Sequence, residues 1–224
     1  MFEKEEMRTS TRVLLTPEYA KVDSLKPKIR EKRILNDNFW IRIHNVVASA
    51  SLKHGIDIKA VCKAFPDTEY VPEVFPGLVF RLKRPKTVTL IFASGKMVCT
   101  GAKSEKESVN ALKKIVTSLK KEGIVIRDRP KIEIQNIVAT ANLGERVDLF
   151  GLYQKCGRKM GGRIMSEPEQ FPGLIYRMKD PKAVILVFSS GKLVCTGTRK
   201  EVDVHRAISK IFEKIEEKQS YNLP

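Results

Sequence analysis

The chain has 224 residues, 42% of them apolar, and carries a formal net charge of +16. This length fits one large domain or two small ones, and a chain so basic usually binds a polyanion, most often nucleic acid, the alternative being a merely solubilising surface. No apolar stretch approaches the roughly 18 residues of a membrane span, and Met1–Glu6 lack the basic head of a secretory signal. We therefore expect neither a membrane segment nor export.

Residues 1–40 form the first predicted segment, an N-terminal arm that is not repeated elsewhere. Nine basic and seven acidic residues leave this arm at only +2, so most of the charge belongs to the rest of the chain. The run Lys26–Arg33 (KPKIREKR) is either a nuclear address or part of a solvated arm. We favour the second interpretation and predict a flexible arm.

An internal repeat determines the predicted architecture. Phe75–Gly101 and Phe171–Gly197 are identical at 18 of 27 positions without a gap, and Asn45–Ala48 matches Asn136–Ala139 upstream. The offset changes from 91 to 96 residues, so the second copy carries five extra residues in between. Such self-similarity indicates a tandem duplication. The predicted boundaries are 41–123 for the first repeat, 124–131 for a connecting segment, 132–218 for the second repeat and 219–224 for a C-terminal tail.

Each repeat opens with a strand and a short helix. Alternation in the first strand predicts that Ile41, Ile43, Asn45 and Val47 share one face. Asp57 is a plausible N-cap for the short helix that follows. The second copy inserts the longer, basic segment Tyr153–Ile164 here; it is either an extra phosphate contact or a flexible loop, and we predict the loop.

Three short strands and a longer helix complete each repeat. In the first copy the strands are predicted at 78–82, 87–93 and 97–101, separated by turn residues. Ser104 and Glu107 form a capping box for the closing helix. Ile124 and Ile126 predict an extended strand in the connection. The fold class is therefore α+β, with two joined sheets of about ten strands in total and four helices on one side.

The predicted strands are apolar on both faces. Leu90 and Phe92 lie on one face of their strand, but Ile91 on the other is equally apolar. A sheet with one face in water should instead alternate apolar and polar residues. Either a second layer is hidden or the open face binds something apolar, such as the DNA minor groove. Asn45 and Asn136, at equivalent positions near the centre, either donate to base edges there or cap their strands.

Metal and catalytic patterns are missing from the sequence. Cys62, Cys99, Cys156 and Cys195 are far apart with no Cys-x-x-Cys pair, and the histidines are scattered. We predict reduced thiols in an intracellular protein, with no metal and no cofactor. No nucleophile–histidine or paired-carboxylate arrangement suggests an enzyme.

The repeated QNIV-like strands, the FPGL turns, the F-x-SGK turns and the VCTG segments resemble the TATA-binding protein family over residues 41–218. The resemblance implies a saddle, with a curved antiparallel sheet of about ten strands and four helices on its convex side. It implies a general transcription initiation factor that binds the minor groove of AT-rich (TATA-box) promoter DNA, kinks it and nucleates the preinitiation complex. The alternative is a family-like scaffold that recruits transcription factors without TATA-specific binding.

The resemblance also implies roles for individual residues. Four phenylalanines are expected to insert between base steps: Phe75, Phe92, Phe171 and Phe188. Ten residues are expected to contact the minor groove: Asn45, Val47, Leu90, Val98, Thr100, Asn136, Val138, Leu186, Val194 and Thr196. Ten more are expected to contact phosphates: Arg81, Lys86, Ser94, Lys96, Lys103, Arg177, Lys182, Ser190, Lys192 and Arg199.

Partners are implied in the same way. Glu167 and Glu169 match the acidic turn with which the family docks a transcription factor IIB-type protein, although Gln170 replaces the usual leucine. The RNA polymerase initiation complex is the wider partner. We expect a monomer on DNA and, because the open face is apolar, self-association without DNA. The location would be the nucleus in a eukaryote and the cytoplasm, with the chromosome, in an archaeon.

Overall fold

The computed structural model describes residues 40–159 and 163–219. The predicted arm up to residue 39, including Lys26–Arg33, and the tail from residue 220 lie outside the described residues, as do 160–162. Within the described part, no helix combines the length and the apolar character needed to cross a membrane.

Nine strands form one antiparallel sheet in the order β2-β3-β4-β1-β5-β9-β8-β7-β6. Their bounds are β1 Trp40–Ser51, β2 Gly77–Leu82, β3 Thr87–Phe92, β4 Lys96–Ala102, β5 Lys131–Asn142, β6 Arg163–Ser166, β7 Gly173–Met178, β8 Ala183–Phe188 and β9 Lys192–Thr198. The first strand of each repeat therefore pairs with the other across a pseudo-twofold axis. This arrangement confirms the α+β, saddle-like prediction. The described residues contain nine strands instead of about ten, because the first repeat has only a single bridge, Glu69↔Val79, where the second has β6.

Four helices in the described residues cover one face of the sheet. They are α1 Ile58–Ala64, α2 Glu105–Lys121, α3 Leu149–Lys159 and α4 Glu201–Gln219. Asp57 caps α1 by accepting from the amides of Lys59 and Ala60, as predicted. Ser104 caps α2 by accepting from the Glu107 amide, while the Glu107 carboxylate accepts from the Lys103 amide at 2.6 Å. The predicted capping box is thus present, except that the Glu107 carboxylate accepts from the amide of Lys103 instead of that of the N-cap residue Ser104.

The N-termini of α2 and α4 meet near the pseudo-twofold axis and cap each other. The Glu201 carboxylate accepts from the Glu105 amide at 2.7 Å, and the Glu105 carboxylate accepts from the Glu201 amide. Each carboxylate lies at the positive end of the other repeat's helix, where negative charge is favourable. The two repeats are therefore joined by polar contacts on the helix layer as well as by the β1–β5 ladder.

A bulge in β1 corrects the predicted strand face. The register with β5 shifts between Ile43 and Asn45, so alternation is interrupted at His44. Ile41 and Ile43 pack against the core, and after the bulge it is Val46 that is buried. The prediction that Ile41 and Ile43 share a face with Asn45 and Val47 was wrong, because one extra residue reverses the side-chain parity.

Two further predictions were wrong: the strand in the connection between the repeats, and the loop after the short helix of the second repeat. Residues 122–130 contain no strand; Ile126 is buried against the first repeat's core without pairing. The segment Tyr153–Ile164 is not a loop at either end, because α3 continues to Lys159 and β6 starts at Arg163. Packing of Leu152 in the core holds the helix despite its glycines.

Candidate nucleic-acid interface

The face of the sheet opposite the helices is only partly buried. In β3, Thr87, Thr89 and Ile91 are buried under the helices, whereas Val88, Leu90 and Phe92 on the other side are half-exposed. The strand β8 repeats this pattern. We call the half-exposed side the open face; within the described residues no second layer covers it.

Apolar side chains form matching rows across the open face of each repeat. Val79, Leu90 and Val98 are register partners on β2, β3 and β4. Ile175, Leu186 and Val194 form the equivalent row. The predicted minor-groove residues lie on this face, with Val47 opposite Asn136 and Asn45 opposite Val138 at the centre. Val79 and Ile175 were missed, although their alternation with buried neighbours could have identified them.

A phenylalanine pair stands at each end of the open face. The rings of Phe75 and Phe92 are 5.9 Å apart between centroids, and those of Phe171 and Phe188 are 5.6 Å apart, both edge-to-face. Phe75 is 38% exposed. Each phenylalanine pair packs over a strand glycine. In the first repeat this is Gly77, which is in register with Phe92, and a Cβ on Gly77 would lie 2.6 Å from the Phe75 ring. The FPG sequence therefore removes a side chain so that the rings can converge.

The two central asparagines have a structural role. Asn45 Oδ1 accepts from the Gly101 amide at 2.7 Å, and its Nδ2 donates to Thr100 Oγ1 at 3.1 Å. Asn136 does the same with Gly197 and Thr196, at 2.8 and 3.1 Å. Gly101 lies at a register shift in the β1–β4 pairing and has a positive φ. Each asparagine thus fixes a bulge within the sheet. Within the described residues, one of its two Nδ2 hydrogens remains without a partner.

All ten predicted phosphate-contact residues are exposed. Four cations, Arg81, Lys83, Lys86 and Lys103, line an open groove of about 910 Å³ at the first repeat's rim. The sequence analysis missed Lys83. Arg81 is already paired with Glu69 at 3.1 Å, and Lys103 Nζ donates to the His44 carbonyl at 2.6 Å.

Polar pairs cross the centre line of the open face symmetrically. His44 Nε2 lies 2.8 Å from Thr140 Oγ1, and Gln135 Nε2 donates to Ser49 Oγ at 2.7 Å. These positions correspond under the 91-residue offset. Sequence reasoning missed them because they lie at the bulges of β1 and β5, where simple alternation fails.

The predicted partner-binding turn is exposed. Glu167 and Glu169 lie just before Phe171, and the Glu167 carbonyl accepts from the amides of Gln170 and Phe171 at 2.9 Å each. This turn leaves both carboxylates in solvent at the end of the saddle.

Burial affects two of the cysteine thiols. Burial raises the pKa of Cys195 to about 12, and burial also raises the pKa of Cys99. Cys62 is half-buried. The side chain of Cys156 lies outside the described residues. Among the residues that the structure describes, no cluster of three His, Cys, Asp or Glu side chains is able to hold a metal ion.

The comparisons with known proteins agree on one family. The model of "Transcription factor TFIID (or TATA-binding protein, TBP)" matches residues 40–122 and 131–218. The chain is 49% identical over 191 residues to a TATA-box-binding protein of Sulfurisphaera tokodaii, covering 85% of this chain and 91% of that protein. It is 51% identical over 173 residues to one of Pyrodictium occultum, covering 77% and 84%. A solved TBP of Methanococcus jannaschii is similar with a TM-score of 0.66 and 48% identity, covering 79% of this chain and 98% of that one.

Proposed function

This chain belongs to the TATA-binding protein family of DNA-binding transcription initiation factors, and we propose that its open face binds the minor groove of AT-rich (TATA-box) promoter DNA. The observation that carries this proposal is the two solvent-accessible phenylalanine pairs, one at each end of an apolar face and related by pseudo-twofold symmetry. A duplex lying across that face would meet a wedge at both ends.

The phenylalanines act as wedges in this proposal. Kinking DNA by inserted apolar side chains is known for this family, so the mechanism is applied to the chain instead of being deduced from its geometry. A large aromatic ring buries about 150–250 Å² when it inserts, which offsets part of the unstacking cost. Flexible TA-type steps deform most cheaply, so deformability contributes to the preference for TATA-like sites.

The centre of the open face supplies the readout. Val47 and Val138 present apolar surface that tolerates A·T pairs and disfavours the protruding guanine amino group. Asn45 and Asn136 each use one Nδ2 hydrogen for a threonine hydroxyl, which leaves the other to donate to adenine N3 or thymine O2, the acceptors of the minor groove. The bulge that fixes each asparagine also orients its amide.

The rim cations supply affinity without sequence information. Eight of the ten phosphate-contact residues are lysine or arginine. Full engagement of these cations would give a log–log salt slope of roughly −7, less where Arg81 stays with Glu69. The attraction between rim cations and phosphates is the same for any duplex, so selectivity must come from the apolar centre and from bending.

Assembly of the initiation complex follows from the exposed turn. Glu167 and Glu169 form the docking point for a transcription factor IIB-type protein, which then recruits RNA polymerase. The protein acts beside the chromosome, as a monomer on DNA, and performs no catalysis. Without DNA, the apolar open face favours self-association.

The test is DNA bending. We expect wild-type protein to bind and bend a TATAAA-containing duplex more strongly than a GC-rich one, and the Phe171→Ala/Phe188→Ala variant to lose both properties. Equal, unbent binding to both duplexes would refute minor-groove recognition and would favour the scaffold.

An internal control is available on the other side of the sheet. Phe65 and Phe80 form an edge-to-face pair 5.0 Å apart, but Phe80 is buried in the core. Phe65→Leu should lower the free energy of unfolding while leaving bending by the folded fraction intact. If it abolished bending as completely as the double variant, the effect of the wedges would reflect general destabilisation.

A further inference from the structure

The two ends of the open face differ in charge although they match in apolar residues. In the first repeat, Arg81 on β2 forms an exposed ion pair with Glu69 at 3.1 Å, next to the single Glu69↔Val79 bridge. In the second repeat, the position equivalent to Glu69 is Met165, which is in register with Ile175. The carboxylate that occupies Arg81 therefore has no counterpart beside Arg177.

The second repeat adds a cation at the same place. The strand β6 extends the sheet so that Arg163 lies directly opposite Arg177. Ile164 between Arg163 and Met165 packs against the core, so Arg163 points to the open face, as Arg177 does. Both arginines are exposed, and neither side chain has a hydrogen bond or ion pair with any described residue.

Two arginines in register are unfavourable without an anion between them. Side chains directly opposite on an antiparallel pair have Cβ atoms about 4.5–5.5 Å apart, and like charges there destabilise the sheet. A phosphate between the two guanidinium groups makes the arrangement favourable, because each guanidinium can donate several hydrogen bonds to it from a planar fork.

We propose that Arg163 and Arg177 together form a DNA-phosphate clamp at the second-repeat end, which the first repeat lacks. Arg163 is the added contact; nothing in the repeat symmetry requires it. The inference rests on the proposed function, because the phosphate belongs to the duplex bound on the open face. It makes the contact with the DNA backbone at the second-repeat end of the open face stronger than the contact at the first-repeat end.

Exchanging the two arrangements tests the clamp. Salt dependence of binding to one TATA-containing duplex is measured by fluorescence anisotropy. Arg163→Gln should reduce the magnitude of the log–log slope by about 1. Met165→Glu, which recreates the first-repeat arrangement, should reduce it similarly, and Glu69→Met, which releases Arg81, should increase it by about 1. Lys59→Gln is the charge-matched control on α1, on the helix-covered face, and should leave the slope unchanged.

Neutral phosphates locate the contact. A methylphosphonate placed singly along each strand should weaken wild-type binding at one position near the Phe171–Phe188 end, and Arg163→Gln should suffer no further loss there. Arg163 could instead serve only to protect the edge strand β6 from pairing with another chain. Arg163→Gln would then increase self-association and leave the salt slope at the wild-type value, which would overturn the clamp.

The two proposals fail differently. Wild-type protein that neither selects nor bends the TATA duplex refutes the proposed function. Wild-type protein that bends it normally, with equal slopes for Arg163→Gln and Lys59→Gln, refutes only the clamp.

Discussion

Gly77→Ala separates DNA bending from folding. The added Cβ would lie 2.6 Å from Phe75 Cε1 and 3.0 Å from Phe92 Cε1. Ordinary carbon contacts are about 3.5–4.0 Å, so the Phe75 ring must move by about 1 Å. Phe75 is 38% exposed and has solvent to move into, so folding should absorb the shift. Replacing a strand glycine also recovers about 0.4–1 kcal/mol of backbone entropy, leaving the free energy of unfolding within about 1 kcal/mol of wild type.

The displaced ring should weaken the wedge. Misfit at a packed contact costs about 1–3 kcal/mol, which corresponds to a roughly fivefold to hundredfold weaker bent complex. Bending is measured by energy transfer between dyes at the ends of a TATA duplex, and stability by urea unfolding. Wild-type bending by Gly77→Ala would refute the argument that the glycine positions the rings. So would a loss of bending that merely follows a loss of stability larger than about 2 kcal/mol.

Three other predictions concern the caps, the central asparagines and the thiols. Glu201→Ala should lower the free energy of unfolding by about 0.5–2 kcal/mol, because it leaves the Glu105 amide without its cap; an unchanged urea midpoint would contradict this. Asn136→Asp keeps an acceptor for the Gly197 amide but turns its donor into a carboxylate, so TATA affinity should fall at least tenfold at little cost in stability. Cys195 should resist thiol reagents in the native state, since with a pKa of about 12 only about one thiol in 10⁴ is ionised at pH 8; mass spectrometry showing it labelled as fast as Cys62 would refute the burial argument.

Self-similarity in the sequence was sufficient to predict two α+β halves joined about a pseudo-twofold axis. Two copies of one pattern constrain each other, so the short strands and the closing helices were predicted within a few residues. The four phenylalanines were assigned from the family resemblance, and alternation of Phe92 with the apolar Ile91 agreed with that assignment. Local pattern and register agreed at these positions.

The bulges and the longer helix α3 depend on tertiary contacts that periodicity does not encode. His44 interrupts alternation because β1 must pair with β4 on one side and β5 on the other, with register shifts in both ladders. α3 has 11 residues and α1 has seven, so four of the five extra residues in the second repeat lengthen a helix. The longer, basic segment Tyr153–Ile164 was predicted to be a loop, but its first seven residues continue α3, in which Leu152 is buried in the core.

The two repeats differ in charge at a few positions of the rim and of the helix side, whereas the phenylalanine pairs and the apolar rows stay apolar in both. In the proposed complex, both phenylalanine pairs and both apolar rows fit the same minor groove. Phosphate charge is the same at every step, so rim residues can diverge without disturbing that fit. Glu69 corresponds to Met165 beside the wedges, and on the helix side Arg84 corresponds to Asp180, although Lys114 donates to the Arg84 carbonyl and Lys210 to the Asp180 carbonyl in the same way. The two ends of the saddle therefore differ in charge, in addition to the strand β6 and the longer helix α3 that only the second repeat has. In the proposed complex, the charge differences make the two ends hold the DNA backbone unequally.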